Sequence, residues 1–288
     1  MLDPESNWYN DDLYDWKTSR LLFQAAQKLA EEEADLFTKD EMDTFSKRSQ
    51  NLAEKAQENG YFKEEIMSVK GHKAGESDNQ IEIREDNSIK KEITLEDIAT
   101  MPSLSTPGWA GGYKNPVFSK DAYIAKFGTE KGIITEGNSS PICDGASLCL
   151  LASKKALEDY NLKPMSRVIS IGFAGVDPTV RGRGVVPASQ MALEHANLKV
   201  EDIDFFEINE SFSIVALNAA NKLGIDWENK MNIHGGAIAI GNPASATGLR
   251  ITATLARILK EKKAKYGLAA MSCGGGQGTA VVIENLDM

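Results

Sequence analysis

Cysteine and histidine are scarce in this chain, with three of each among 288 residues. Cys143, Cys149 and Cys273 form no CxxC pair, so neither a disulfide framework nor a zinc site is indicated, and core packing is the plain role for Cys143 and Cys149. Long apolar runs are missing as well. No stretch approaches the roughly 20 residues that a membrane helix needs, and the acidic start MLDPESNWYNDD lacks the basic-then-apolar order of a signal peptide. The expected location is therefore the cytoplasm, with no membrane partner. An excess of basic residues is also absent. The formal net charge of -10 repels nucleic acid and anionic lipid at long range, which excludes both as main partners. What remains, 42% hydrophobic and 26% charged residues, is globular composition with enough chain for one large core or two smaller ones.

From Leu22 to Gly60 the apolar spacing predicts two surface helices, the second opened by Thr38 with Glu41 three residues on and closed by glycine. Tyr61 to Lys131 is polar and punctuated by Gly, Ser and Pro, which predicts an irregular excursion with little strand. Its aromatic segment TPGWAGGYKNPVF, Thr106 to Phe118, reads as an ordered surface loop, with a ligand-covering loop as the alternative. After Gly132 apolar runs alternate with helical patterns: GASLCLLA, RVISIGFAG, DIDFFEI, MNIHGGAIAI, YGLAAMSC and TAVVIENL are the strand candidates. That alternation predicts an α/β layer with helices packed on a buried sheet. The division expected is a helical and irregular region over 1–131 and a sheet domain over 132–288.

Three turns follow apolar strands, the position at which open α/β sheets place their sites. They are Glu207 to Phe212, Gly241-Asn242-Pro243, and Ser272 to Gly278. Singly, Asn209 reads as a helix cap with Glu210 and Ser211 favouring the first turn, and Asn242-Pro243 as a cap with proline at the first helical position. The GGGQG run is followed by a strand and no βαβ unit, so it is not a nicotinamide loop.

In order, these turns resemble the thiolase family: Asn209-Glu210-Ser211-Phe212 is similar to its Asn-Glu-Ala-Phe motif, and His234 to Pro243 to its Asn-Gly-Gly-Ala-Ile-Ala-x-Gly-His-Pro motif. The GGGQG ending, GNSSPICDGA from Gly137 to Ala146, AGVDP from Ala174 and PAS from Pro187 extend the resemblance. It implies a thiolase-like fold, with a loop domain ahead of a C-terminal βαβαβαββ core half, the first core half being missing. It implies coenzyme A and acyl-CoA as substrates with no covalently bound cofactor or metal, and an acyl-CoA C-acyltransferase that cleaves a 3-oxoacyl-CoA or runs the reverse condensation. Either the chain is a truncated product or the enzyme is split; the split is the expectation, with the nucleophilic cysteine coming from a second subunit and further oligomerisation. The alternative is a non-catalytic acyl-CoA-binding or stabilising subunit.

Carried over residue by residue, the resemblance implies catalytic roles for Asn209, His234, Asn242, Ser272, Cys273 and Gly274, and substrate contacts for Ser139, Ser140 and Phe212. Two departures bear on mechanism. Asn242 stands at the family's histidine; its amide donates a hydrogen bond to a thioester oxygen but takes no proton. Ser272 falls on the family's acid/base cysteine and Cys273 one residue later, and a serine hydroxyl is a far weaker acid than a thiol of pKa about 8.5. Neighbours on a strand point to opposite faces, so Cys273 is not expected simply to inherit the role, and His234, which stands where the family has asparagine, is one candidate proton carrier, with a hydrogen-bonded structural histidine as the alternative. Leu21 and Leu22 at the family's His-Met pair imply a more apolar or bulkier acyl pocket.

Overall fold

The computed structural model describes residues 18, 21–72, 76 and 78–286, so the acidic start lies outside the described residues. Helix α1 (Leu22–Glu32) buries Ala25, Ala26, Leu29 and Ala30 along one stripe. Helix α2 (Lys39–Glu58) opens on a reciprocal capping box: the Glu41 amide donates to Thr38 Oγ1 at 3.2 Å, and the Thr38 amide donates to Glu41 Oε2 at 2.7 Å. Each end of that exchange satisfies an amide that the first turn leaves without a helical partner. Met42, Phe45, Ser49 and Ala53 recur at helical spacing on its buried face.

The excursion that follows is irregular. It holds a short antiparallel pair, β1 (Val69–Gly71) and β2 (Ile81–Ile83), and the helices α3 (Leu95–Thr100) and α4 (Lys120–Phe127). Its aromatic segment is tied to α1. The Gly108 amide and the Tyr113 hydroxyl both donate to the Glu31 carboxylate, at 3.0 and 2.8 Å, and the Thr106 amide donates to Gln24 Oε1 at 3.1 Å. These bonds make it an ordered loop packed against α1.

The remainder runs α5 (Lys154–Asp159), β3 (Ser166–Gly175), α6 (Val185–Ala196), β4 (Phe205–Ile208), α7 (Ser213–Leu223), α8 (Ala237–Ile240), α9 (Thr247–Lys262), β5 (Tyr266–Cys273) and β6 (Gln277–Asn285). Its sheet has the order β3-β6-β5-β4, antiparallel except for the parallel pair of β4 and β5. Two expected strands do not form, which corrects the βαβαβαββ reading. Residues 141–153 take no regular structure. The run Met231 to Ile240 makes only isolated bridges, Phe206 to Met231 and Ile233 to Gly235, as Asn232 (φ 49) and Gly235 (φ 78) turn the chain into α8. Gly235 has no room for a side chain in any case, since a Cβ there would lie 2.5 Å from the Ser49 carbonyl oxygen.

Strand alternation gives the sheet two different faces. Phe206, Ile208, Leu268, Ala270, Ala280 and Val282 point into the main core beneath α6 and α7. Ala269, Met271, Val281 and Ile283 point the other way, against Ile251, Leu255 and Leu259 of α9. Beyond α9 this second face is open, and Ile171 and Phe173 of β3 are exposed there. Leu29, Met42 and Phe45 of the first helices share the main core with Ile208, Phe212 and Val215, so the two regions expected from the sequence pack as one body.

Candidate active site

A cavity of about 440 Å³ lies at the carboxyl ends of β4 and β5. It brings together Asn209, Phe212, Asn242, Ser272, Cys273 and Gly274, six of the nine residues expected from the sequence. Asn209 sits just past β4, held by its own amide donating to Ala270 O at 2.9 Å. Its side-chain Nδ2 donates to Ser211 Oγ at 3.0 Å and to Asn242 Oδ1 at 3.3 Å. Thr247 Oγ1 donates to the same Asn242 oxygen at 2.8 Å. With Oδ1 doubly engaged, the Asn242 amide nitrogen is the end left to donate into the cavity. Asn242 is not the cap of α9, which begins four residues after Pro243, with Ala246 at the cap position.

The turn that carries Asn209 is locked from beneath by Glu210, a residue that sequence reasoning assigned only to a helix start. Its buried carboxylate accepts from Ser49 Oγ (2.6 Å), Asn232 Nδ2 (2.7 Å) and the Ile238 amide (3.1 Å). Burial raises the Glu210 pKa against the pull of those donors. Asn232 also exchanges two side-chain bonds with the Ile208 backbone, at 2.9 and 2.8 Å, which joins the two loops. Gly236 is required by this lock, since a Cβ there would lie 2.4 Å from the Glu210 carboxyl carbon. Two residues before Asn209, Glu207 is buried and its pKa is raised well above the ordinary carboxylate value by that burial.

Ser272 and Cys273 both border the cavity, against the expectation that strand alternation would admit only one. Cys273 ends β5, and the glycine turn after it, with Gly275 and Gly276 at φ 76 and 84, bends the backbone before the alternation continues.

His234 lies elsewhere, outside the cavity that holds Asn209 and Asn242. It lines a separate cavity of about 560 Å³, stacked on Tyr61 with centroids 3.8 Å apart and with Nε2 3.3 Å from Glu261 Oε2. The positive φ of Gly235 turns the chain between His234 and the site, and burial lowers the His234 pKa although Glu261 opposes it. Ser139 and Ser140 do not line the 440 Å³ cavity either. Ser139 Oγ donates to Thr135 O at 2.6 Å, and the Ser140 amide and hydroxyl both reach Ser211 O at 3.1 Å, supporting the site turn from outside. Thr247, Ser211 and Met271 were not singled out as site residues; only the hydroxyl of Thr247, in the small-residue run after Pro243, hinted at a polar partner. Leu22, Ala25, Ala26, Val215 and Met271 supply an apolar wall.

Fold and site together define an α/β protein with a mostly apolar cleft at the strand ends, where amide, hydroxyl and thiol groups converge. The thiolase C-terminal domain model matches residues 162–285 and the thiolase N-terminal domain model matches 7–110. The chain is 38% identical over 240 residues to the 3-ketoacyl-CoA thiolase of Marinomonas sp. (strain MWYL1), covering 83% of this chain and 55% of that protein. It is 39% identical over 243 residues to the acetyl-CoA acetyltransferase of Syntrophomonas wolfei, covering 83% and 54%. Among solved structures it is similar to the Bacillus anthracis acetyl-CoA acetyltransferase, with TM-score 0.78 at 31% identity over 92% of this chain and 60% of that one. It is likewise similar to human mitochondrial 3-ketoacyl-CoA thiolase in complex with CoA, with TM-score 0.73 at 29% identity over 92% and 58%.

The chain belongs to the thiolase family. It spans 55% of the length of the first such relative. The match of the N-terminal domain model to 7–110 does not support the expectation that the family's first half is missing from the chain.

Proposed function

We propose that this chain is a subunit of a thiolase-type acyl-CoA C-acyltransferase, acting on 3-oxoacyl-CoA and CoA, with the nucleophilic cysteine supplied by a partner chain. The observation that carries the reading is the cavity in which the Asn209–Asn242 amide pair faces Ser272 and Cys273. In the thiolytic direction a cysteine thiolate adds to the 3-oxo carbon, and the bond to the α-carbon breaks. The electron pair leaves on the acetyl-CoA fragment as an enolate. The Asn242 amide is suited to hold that enolate oxygen, oriented by Thr247 and Asn209. The enolate carbon then takes a proton, for which the Cys273 thiol is the more acidic donor than the Ser272 hydroxyl. CoA thiolate attacks the acyl-enzyme, releases the cysteine and completes the transfer. Leu22, Val215 and Met271 favour an apolar acyl group beside the reacting carbon. The residues over 1–131 serve as the loop domain and 132–288 as the C-terminal core.

A second reading, an acyl-CoA-binding subunit without catalysis, draws on Asn242, which takes no proton. The two separate by assay. The purified chain alone is expected to show no turnover of a 3-oxoacyl-CoA, because it places no nucleophilic thiolate. The assembled enzyme is expected to turn over, and Asn242→Ala to lower its kcat by about 10²-fold or more with assembly intact. Turnover by the chain alone, or an unchanged kcat in the variant complex, overturns the reading.

A further inference from the structure

The 440 Å³ cavity holds a group that the proposed chemistry does not use. Arg181 lines it while being only 7% exposed, and it is the only charged side chain among the described residues that do so. None of the described lining residues is acidic, so an anion entering the cavity meets one positive group and no negative one. The rest of the wall that Arg181 shares is apolar, built from Leu22, Ala25, Ala26 and Val215.

The backbone that carries Arg181 is held from both sides. The short helical segment Pro178–Gly184 is capped by Asp177, whose carboxylate accepts from the Thr179 amide at 2.8 Å. Next to the arginine, Gly182 is pressed between α1 and α7: a Cβ there would lie 2.7 Å from Val215 Cγ2 and 3.1 Å from Leu29 Cδ2. Across from these helices the Val176 amide donates to Gly276 O at 2.7 Å, and a Cβ on Gly278 would lie 1.9 Å from Gly184 O. Gly276 and Gly278 directly follow the Cys273 turn, so the guanidinium and the thiol are set by backbone segments fastened to each other. Two residues further on, Arg183 pairs with Glu32 and Glu33, each at 2.7 Å, and does not line the cavity.

We infer that Arg181 is a specificity residue for a carboxylate on the acyl chain, so that the substrate is a 3-oxoacyl-CoA whose acyl group carries a carboxylate beyond an apolar stretch. The inference rests on the acyl-CoA reading of the proposed function and names the substrate class of that same cavity. A planar guanidinium takes both oxygens of a carboxylate in parallel N–H···O bonds, and in a mostly apolar, water-poor wall such bonds are stronger than at the surface. Leu22, Ala25, Ala26 and Val215 take the methylenes that separate the carboxylate from the reacting carbon. Thiolysis of this substrate breaks the bond between the 3-oxo carbon and the α-carbon. The acyl carbon ends in a thioester to CoA, the proton of the CoA thiol balances the one delivered to the departing α-carbon, and the carboxylate passes through unchanged. The products are acetyl-CoA and a carboxyacyl-CoA shorter by the acetyl unit.

The test is calorimetric binding to the purified full chain of CoA thioesters paired by chain length: succinyl- with butyryl-CoA, glutaryl- with pentanoyl-CoA, adipyl- with hexanoyl-CoA. Expected is a Kd lower by about 10²-fold for the carboxylated member of the best-fitting pair. Arg181→Met should erase that preference by weakening the carboxylated ligand about 10²-fold, with the neutral member held within about threefold. Arg181→Lys keeps the charge without the fork and should weaken the carboxylated ligand alone by about 10-fold. If Arg181→Met does not fold, the selective loss in Arg181→Lys decides. Equal affinities within every pair overturn the inference and leave the acyl-CoA reading standing. Equal weakening of both ligands in the variants also overturns it, since the guanidinium then serves the CoA phosphates or the fold. Failure of every thioester to bind removes the acyl-CoA reading, and the inference with it.

Discussion

Replacing Glu210 by alanine tests whether the site turn is held by a buried acceptor. The carboxylate receives the Ser49 hydroxyl, the Asn232 amide group and the Ile238 backbone N–H at 2.6–3.1 Å, and the residue is 0% exposed. Glu210→Ala strands those three donors where water does not reach them, and each buried donor without a partner costs about 1–3 kcal/mol. Removal of a carboxylate that burial already disfavours offsets part of this, as its raised pKa indicates. The expected loss is about 4 kcal/mol, or roughly 8–16 °C in Tm for a chain of this size. Glu210→Gln keeps one carbonyl oxygen and sets its NH2 group against a donor, so a loss of about 1–3 kcal/mol is expected. Urea and thermal unfolding of the three proteins, followed by circular dichroism, measure both. A Glu210→Ala protein within about 1 kcal/mol of the wild type would refute the lock and leave the glutamate a helix-start residue.

Glu207 and Glu210 both have folded-state pKa values raised above the ordinary 4.5, chiefly by burial. The folded state therefore holds more protons than the unfolded one, and stability falls as pH rises from 4.5 towards the folded values, by at most about 1.4 kcal/mol per pH unit for each group. Glu207→Gln should raise the urea midpoint at pH 7 and flatten its fall between pH 5 and 7; an unaltered slope contradicts this. For the proton transfer, Cys273→Ala in the assembled enzyme should lower kcat by about 10²-fold or more. His234→Ala should leave kcat within about threefold while costing about 0.5–1.5 kcal/mol of stability through the lost Tyr61 stack. The opposite pair of results would place the proton on the histidine and show that the two cavities communicate.

What the amino-acid sequence settled by itself is local. The Thr38–Glu41 capping box, the glycine closing α2 and the helical stripe of Met42, Phe45, Ser49 and Ala53 are written within a few residues, and they form as expected. The motifs were legible too, because Asn209, Asn242, Ser272 and Cys273 each stand at or beside a turn after an apolar run, and the ends of β4 and β5 and the turn after α8 carry them to one cavity. Tertiary structure decided the rest. A strand exists only beside another strand, so the apolar pattern of 145–152 could not by itself decide that one forms, and among the described residues none does. His234 shares a motif with Asn242, but the left-handed Gly235 between them turns it to Tyr61. Glu210 looked like a residue favouring a helix N-terminus until Ser49, 161 positions earlier in the chain, was found beneath it. Cys273 escaped strand alternation because the backbone bends at the glycines that follow. In each of these cases the deciding partner lies far along the chain or in a backbone angle, and neither is fixed by residue type at one position.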